Sequence, residues 1–252
     1  MNSLLSNVNA LNTRSLLLLQ QNSHKEAICC LRMGVKSIVN KIVDPESDDR
    51  FSSLQPQCDE SFYEYSQAPK CVDDDMDVEQ EVSSIHTVAI PEIPNSDTSA
   101  VSPDNVSVVF NRAFYLPPQE DGGSHPAVYS TKLSATLLYN MGLAWHHLGF
   151  QENSSAALKR ALFVYEQAYR SLSQQAVGKS SHLLLLALAN NMAHIHTHFV
   201  DVDAARQCRE VVTQLLVNYF PAVASKVSGE YAFFTAEVML FECQELSFAP
   251  AA

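Results

Sequence analysis

Apolar side chains recur every three to four positions in two stretches near the start of the chain, "LLSNVNALNTRSLLLLQQ" and "KEAICCLRMGVKSIV". That period buries one face of an α-helix, so the spacing predicts two helices over residues 4–42. Asn22 and Ser23 separate them; asparagine tolerates the left-handed conformation that closes a helix, and serine caps the start of the next. The same period returns at Pro126, a residue suited to a first helical turn. It predicts helices over about 126–149, 152–175, 180–200, 202–219 and 229–243, with Pro221 stopping the fourth of these. The closing "LSFAPAA" is apolar enough to pack on the helices.

Between the helical regions the pattern breaks. Residues 43–83 and 91–105 hold five prolines between Pro45 and Pro94, many serines and the run "CVDDDMDVEQE". Such composition buries too little apolar surface to offset chain entropy and predicts disorder. The aromatic island Phe62–Ser66 within it reads as a loop with a few sticky residues. Two short stretches are rich in β-branched residues and end at prolines: "SIHTVAI" (84–90) and "VSVVFNRAFYL" (106–116). They predict extended segments that pair as a hairpin or lie as strips along the helices. The chain then divides into an N-terminal helical hairpin (1–42), an acidic linker (43–105) containing the first extended stretch, a second extended segment (106–118) and a helical domain (119–252). The fold class expected is all-α, with stacked antiparallel hairpins, a long disordered acidic insertion and a small β-hairpin or extended strip.

Charge and cysteine usage narrow the function. The net charge is −12, and residues 41–100 carry 15 acidic against 3 basic side chains, which leaves the rest nearly neutral. No basic face remains to neutralise phosphates, which argues against nucleic acid and an anionic membrane surface as partners. The longest aliphatic runs, Leu16–Leu19 and Leu183–Leu188, are far short of the roughly 20 residues that span a bilayer. Six cysteines without a C-x-x-C pattern, and an N-terminus without the marks of a signal peptide, fit reduced thiols and a cytoplasmic or nuclear setting.

The stretch "LLYNMGLAWHHLGFQENSSAALKRAL" (137–162) puts small residues among large apolar ones. Antiparallel helices that approach closely need small side chains at the crossing and large ones around it. Leu138, Met141, Gly142 and Trp145 fall on one stripe, Gly149 at the turn, and Ser154, Leu158, Ala161 and Leu162 on the answering stripe. A glycine inside a helix costs about 1 kcal/mol relative to alanine, so Gly142 implies a partner helix beside it.

This spacing resembles the tetratricopeptide repeat. Leu138 stands in the tryptophan place of its pattern, Met141 in the leucine place and Trp145 in the tyrosine place; Gly142, Gly149 and Ala161 match. Ser154 takes the first alanine place and Leu158 the phenylalanine place, while Glu166 replaces the closing proline, so the helices run longer than the family's norm. A weaker copy carries Leu11, Ser15, Leu18, Asn22, Ala27, Leu31 and Gly34. A third carries Met192, Ala193 and His196, then Ala204, Cys208 and Val211 after a turn one residue shorter. One unit cannot bury its own face and about three are needed, so the N-terminal hairpin should dock on the 126–220 helices. The resemblance implies that the first helix of each unit lines a groove bearing Tyr139, Leu143, His146 and His147 in the middle unit and Asn190, His194 and His198 in the third. It also puts Asn140 and Asn191 at a family asparagine position, without the cations that grip a C-terminal carboxylate.

Other chemistry is weaker. His194 and His198 share a helical face at metal-chelating spacing, but Ile195 occupies the place of the glutamate that metalloprotease helices carry. "VGKS" (177–180) has Ser173 where a phosphate loop needs its first glycine. No cofactor or metal is expected. The function expected is noncatalytic binding of a protein or peptide partner. The alternatives are a metal-dependent enzyme using His146, His147, His194 and His198, and a structural subunit whose groove is filled by its own linker.

Overall fold

A computed structural model describes residues 2–42, 85–91, 108–118, 126–174, 181–223 and 229–247. The acidic linker apart from residues 85–91 (and with it Phe62–Ser66), Val177–Ser180 and the last five residues lie outside the described residues. Seven helices are described: α1 (Asn2–Gln20), α2 (His24–Ile42), α3 (Pro126–Gln151), α4 (Ser155–Ser173), α5 (His182–His198), α6 (Val202–Val223) and α7 (Gly229–Ser247). Two strands, β1 (His86–Ala89) and β2 (Arg112–Tyr115), lie between α2 and α3 in the sequence. None of these helices is long and apolar enough to cross a membrane.

The helices form antiparallel hairpins, α1–α2, α3–α4 and α5–α6, stacked side by side with α7 added at the end. The first helices, α1, α3, α5 and α7, touch in sequence to make an inner row, and α2 and α4 bridge to the next hairpin. The N-terminal hairpin docks through α2 on α3, where a Cβ at Gly34 would lie 3.4 Å from Leu137, and Lys25 pairs with Glu152 at 2.8 Å. One continuous apolar core runs from Val8 to Phe234.

All three hairpin turns close the same way. A left-handed residue follows the first helix: Asn22 (φ 57°), Asn153 (φ 48°) and Val200 (φ 60°). The next N–H reaches five residues back to a helical carbonyl: Ser23 to Leu18 at 2.8 Å, Ser154 to Gly149 at 2.7 Å and Asp201 to His196 at 2.9 Å. These bonds satisfy carbonyls that the helix end leaves without partners. The second helix then starts on a cap, with Ser154 Oγ accepting from Ala157 N–H and Asp201 Oδ1 from Ala204 N–H, each at 3.3 Å.

Several sequence expectations change here. Gly149 is not in the turn; α3 runs two residues further, to Gln151, and Asn153 closes it. Gly149 is instead a close-approach position, since a Cβ there would sit 2.5 Å from the Leu158 side chain. Ser154 is not a packing residue but the cap of α4. Its answering place opposite Gly142 belongs to Tyr165, whose ring would be 2.5 Å from a Cβ at 142. Pro221 does not stop α6, which continues to Val223. Its fixed φ suits a helix, and near the helix end few turns remain to be disturbed by the lost N–H. Of the other packing positions, Ala27, Leu31, Met141, Leu158, Ala161, Met192 and Ala193 are buried, and Leu138 and Trp145 are half-buried, with the Arg160 guanidinium 4.9 Å over the Trp145 ring.

The two extended arrangements foreseen occur together. β1 and β2 pair antiparallel, with His86 opposite Tyr115 and Ala89 opposite Arg112. The pair also lies along the helices, through the contacts of β2 with α1 and α3.

Candidate functional site

The site is the inner face of the helical row, and residues 108–118 of the same chain lie across it. Their apolar side chains alternate toward the helices: Phe110, Phe114 and Leu116 are fully buried. Phe110 stacks 4.7 Å from Phe234 of α7, and Phe114 meets Tyr139 of α3 edge-on at 4.8 Å. Tyr139 continues to Tyr165 of α4 at 5.6 Å.

An extended segment carries a row of N–H and C=O groups on each edge, and buried ones need partners. On one edge β2 finds them in β1, and beyond the strand Ile90 N–H bonds Asn111 C=O at 3.2 Å. On the other edge, helix side chains replace a strand. Asn140 accepts from Phe114 N–H at 2.8 Å through Oδ1 and donates to Phe114 C=O at 2.8 Å through Nδ2. Asn191 repeats this four residues along, accepting from Phe110 N–H at 2.8 Å and donating to its C=O at 3.3 Å. Each amide therefore copies the two-bond pairing of a neighbouring strand residue. Both are fully buried in mid-helix, where asparagine has poor propensity; the contacts to the strip account for its presence.

The other inner helices add single bonds. Asn12 of α1 donates to Phe114 C=O at 3.3 Å and accepts from Asn140 Nδ2 at 2.9 Å. Asn9 donates to Tyr129 Oη at 2.9 Å, and that hydroxyl donates to Pro117 C=O at 3.0 Å. At the other end Asn190 donates to Val108 C=O at 2.9 Å, and Glu237 of α7 accepts from Val108 N–H at 3.2 Å. The strip thus crosses α1, α3, α5 and α7 in turn and ties all four.

The predicted groove residues fall into two groups. Tyr139 donates to Phe110 C=O at 3.0 Å, Asn190 holds Val108, and Leu143 is buried in the core. His147 also faces the strip: its Nε2 donates to Asn111 Oδ1 at 2.6 Å, while Asn111 Nδ2 holds the Ile90 and Pro91 carbonyls. The ring of His24 lies 5.2 Å from that of His147.

His146, His194 and His198 gather on the other side of α3. His146 Nε2 is 3.1 Å from His194 Nδ1, and His146 Nδ1 is 3.4 Å from Tyr165 Oη. A proton on Nε2 of His146 satisfies both contacts, with Tyr165 donating to one nitrogen and His194 accepting from the other. His198 is exposed, with its ring 5.0 Å from that of Phe150. The four histidines do not converge on one point, because His147 turns toward Asn111. Among the described residues no group of three or more His, Cys, Asp or Glu is placed to hold a metal ion.

Burial sets the protonation states. Desolvation pushes the His146 imidazole well below its ordinary range, with the charges of His194, His147 and His198 adding to it. The same cause lowers His147 to about 3 and His194 to about 4. Tyr139 and Tyr165 are pushed up by desolvation, and Glu237 is raised although its bond to Val108 N–H works against the rise. Cys208 is likewise pushed up by burial, which keeps it a thiol. His146, His147, His194, Tyr139 and Tyr165 are therefore neutral at pH 7, and the face they build with the asparagines is suited to gripping a main chain by hydrogen bonds.

The residues that do most of this gripping, Asn140, Asn191 and Asn12, were not predicted site residues. The signal available was two mid-helix asparagines inside apolar stripes of α3 and α5. Comparisons with protein-family models, with curated proteins and with solved structures find no match for this chain.

Proposed function

We propose that this chain is a noncatalytic protein-interaction scaffold of tetratricopeptide-like type, whose inner face holds an extended polypeptide and is closed at rest by the chain's own residues 108–118. The observation that carries this reading is the paired grip of Asn140 on Phe114 and Asn191 on Phe110. Amides spaced along successive helices to match a strand's main chain form a recognition surface for extended polypeptide. The neutral histidines add packing and single hydrogen bonds to that surface.

The test is co-purification of the full chain from its native cells, compared with a Phe110→Ala, Phe114→Ala chain whose strip is loosened. A protein recovered in stoichiometric amount, and in larger yield with the loosened chain, is the expected result. Recovery of no protein by either chain overturns the scaffold reading. A second reading, a structural subunit with a permanently self-filled groove, is favoured by the full burial of Phe114 and Leu116. It predicts a partner yield that loosening the strip does not change.

A further inference from the structure

The strip shows what this face accepts. On the strip, Asn140 and Asn191 bond main-chain groups alone, those of Phe114 and Phe110, which any residue except proline can supply. Affinity of that kind is tolerant of sequence; selectivity comes from the side chains that alternate into pockets. Three positions of the strip meet that demand, and a fourth is closed in. Phe110 and Phe114 fill two aromatic pockets four residues apart and Leu116 fills a third, while Ala113, opposite Val88 of β1 and on the strip's other face, is fully buried. Asn111, Arg112 and Tyr115 remain partly exposed.

The tethers of the strip are long. Residues 90–111 separate the paired ends of β1 and β2, whereas a hairpin is closed by about two to five residues. Residues 119–125 separate the strip from α3. Both connections exceed the length of a two-residue hairpin loop, and the strip's described contacts are those with β1 and the groove.

We infer that residues 108–118 are an exchangeable ligand of this face. The partner the groove takes is an extended segment of another protein, with two aromatic side chains four residues apart, a small residue directly before the second and an aliphatic residue two after it. This rests on the scaffold reading above and gives its partner a chemistry. It also gives the site a resting state. A tethered strip competes at an effective concentration on the order of millimolar, so a foreign segment enters only when it fits better or is itself held nearby.

The experiment uses the full chain with protease sites inserted after Ser102 and after Gly122, so that cutting leaves the strip bound without its tethers. A fluorescent peptide of residues 106–118 is then added and its polarisation followed. The cut chain should bind the peptide about 100-fold more tightly than the uncut chain, as expected when a tethered competitor is released. Peptides with Phe110→Ala, Phe114→Ala or Ala113→Leu should bind at least about 50-fold more weakly, and one with Pro118→Ala, at the exposed end of the strip, within about threefold. No exchange in a cut chain that keeps its helical circular dichroism overturns the inference, as does binding indifferent to the phenylalanines. Exchange that yields only dimers of this chain also overturns it, because the strip then serves a second copy.

If cutting unfolds the protein, hydrogen exchange on the uncut chain decides. The Phe110 and Phe114 amides should exchange faster than that of Ala144 within α3; equal protection means the strip leaves only on global unfolding, and the inference fails. A partner that co-purifies with the wild-type chain while the strip proves inert would leave the scaffold reading standing and this inference alone refuted.

Discussion

Asn140 and Phe114 exchange two hydrogen bonds of 2.8 Å, the side-chain amide of one pairing with the main-chain N–H and C=O of the other. Both residues are fully buried, so no solvent replaces either bond. Asn140→Leu removes the amide and leaves a buried N–H without its partner, and a C=O with only the long bond from Asn12. A loss of about 2–4 kcal/mol in unfolding free energy is expected. Asn140→Asp keeps the acceptor for Phe114 N–H but puts a carboxylate against the Phe114 and Asn12 oxygens, and should cost more than Asn140→Leu. Urea denaturation of the three proteins checks both the loss and the order.

Gly142 and Gly34 predict opposite signs for one substitution. A Cβ at 142 would lie 2.5 Å from the Tyr165 ring, which cannot retreat without breaking its bond to Asn191. Gly142→Ala should therefore destabilise by about 1–3 kcal/mol. A Cβ at 34 would meet Leu137 at 3.4 Å, an ordinary contact. Gly34→Ala should gain up to about 1 kcal/mol from helix propensity alone. Thermal melts that move both proteins in the same direction would contradict the geometry at Gly142.

Much of the architecture was legible because helices and strands announce themselves by period. The two β-branched stretches and the five later helices lie close to where the pattern put them. Packing partners were harder, since they depend on helix length. Matching Gly149 to a turn assumed a shorter α3; the two further residues moved the bend to Asn153 and turned Ser154 from a packing residue into a cap. The clamp was the least legible part. An asparagine in a helix looks the same whether it faces solvent or a strand, and Phe114 lies 26 positions from Asn140 across a proline-containing segment. Only the assembled fold brings them together. The histidines drew attention by their number, but burial makes His146, His147 and His194 neutral supports of the face.

Val200 adopts φ 60° at the turn between α5 and α6, where the matching turns use Asn22 and Asn153. A β-branched side chain is strained in that conformation, and this one is exposed, so it gains little from packing. Val200→Asn should stabilise the fold by about 1 kcal/mol, and Val200→Gly by a similar amount if relief of strain outweighs the added freedom of the unfolded chain. For a chain of this size the expected rise in Tm is about 2–4 °C. Calorimetry that shows no rise for either variant would mean the turn is held by its hydrogen bonds without strain.

Stability should fall as the solution is acidified below neutral. Desolvation holds His146 well below its ordinary range and His147 at about 3, while in the unfolded chain both titrate near 6.5. Below that value the unfolded chain takes up protons that the folded chain excludes, so the free energy tilts toward unfolding. Their contribution is whole above about pH 6.5 and is lost as pH falls toward the depressed folded values, by about 2 kcal/mol per excluded imidazole at pH 5. Half-buried Glu166 and Glu237 have raised values and act in the opposite sense, since the folded chain holds their protons at higher pH than the unfolded chain does. They offset part of the fall but begin to act at lower pH, nearer the carboxylate range. Urea midpoints at pH 7 and pH 5 measure the slope. His147→Gln keeps a donor for Asn111 without the titration, and should flatten that slope by about 2 kcal/mol across the interval. A slope unchanged by the substitution would show that His147 takes up its proton in the folded state, and that the strip contact it makes survives as an imidazolium.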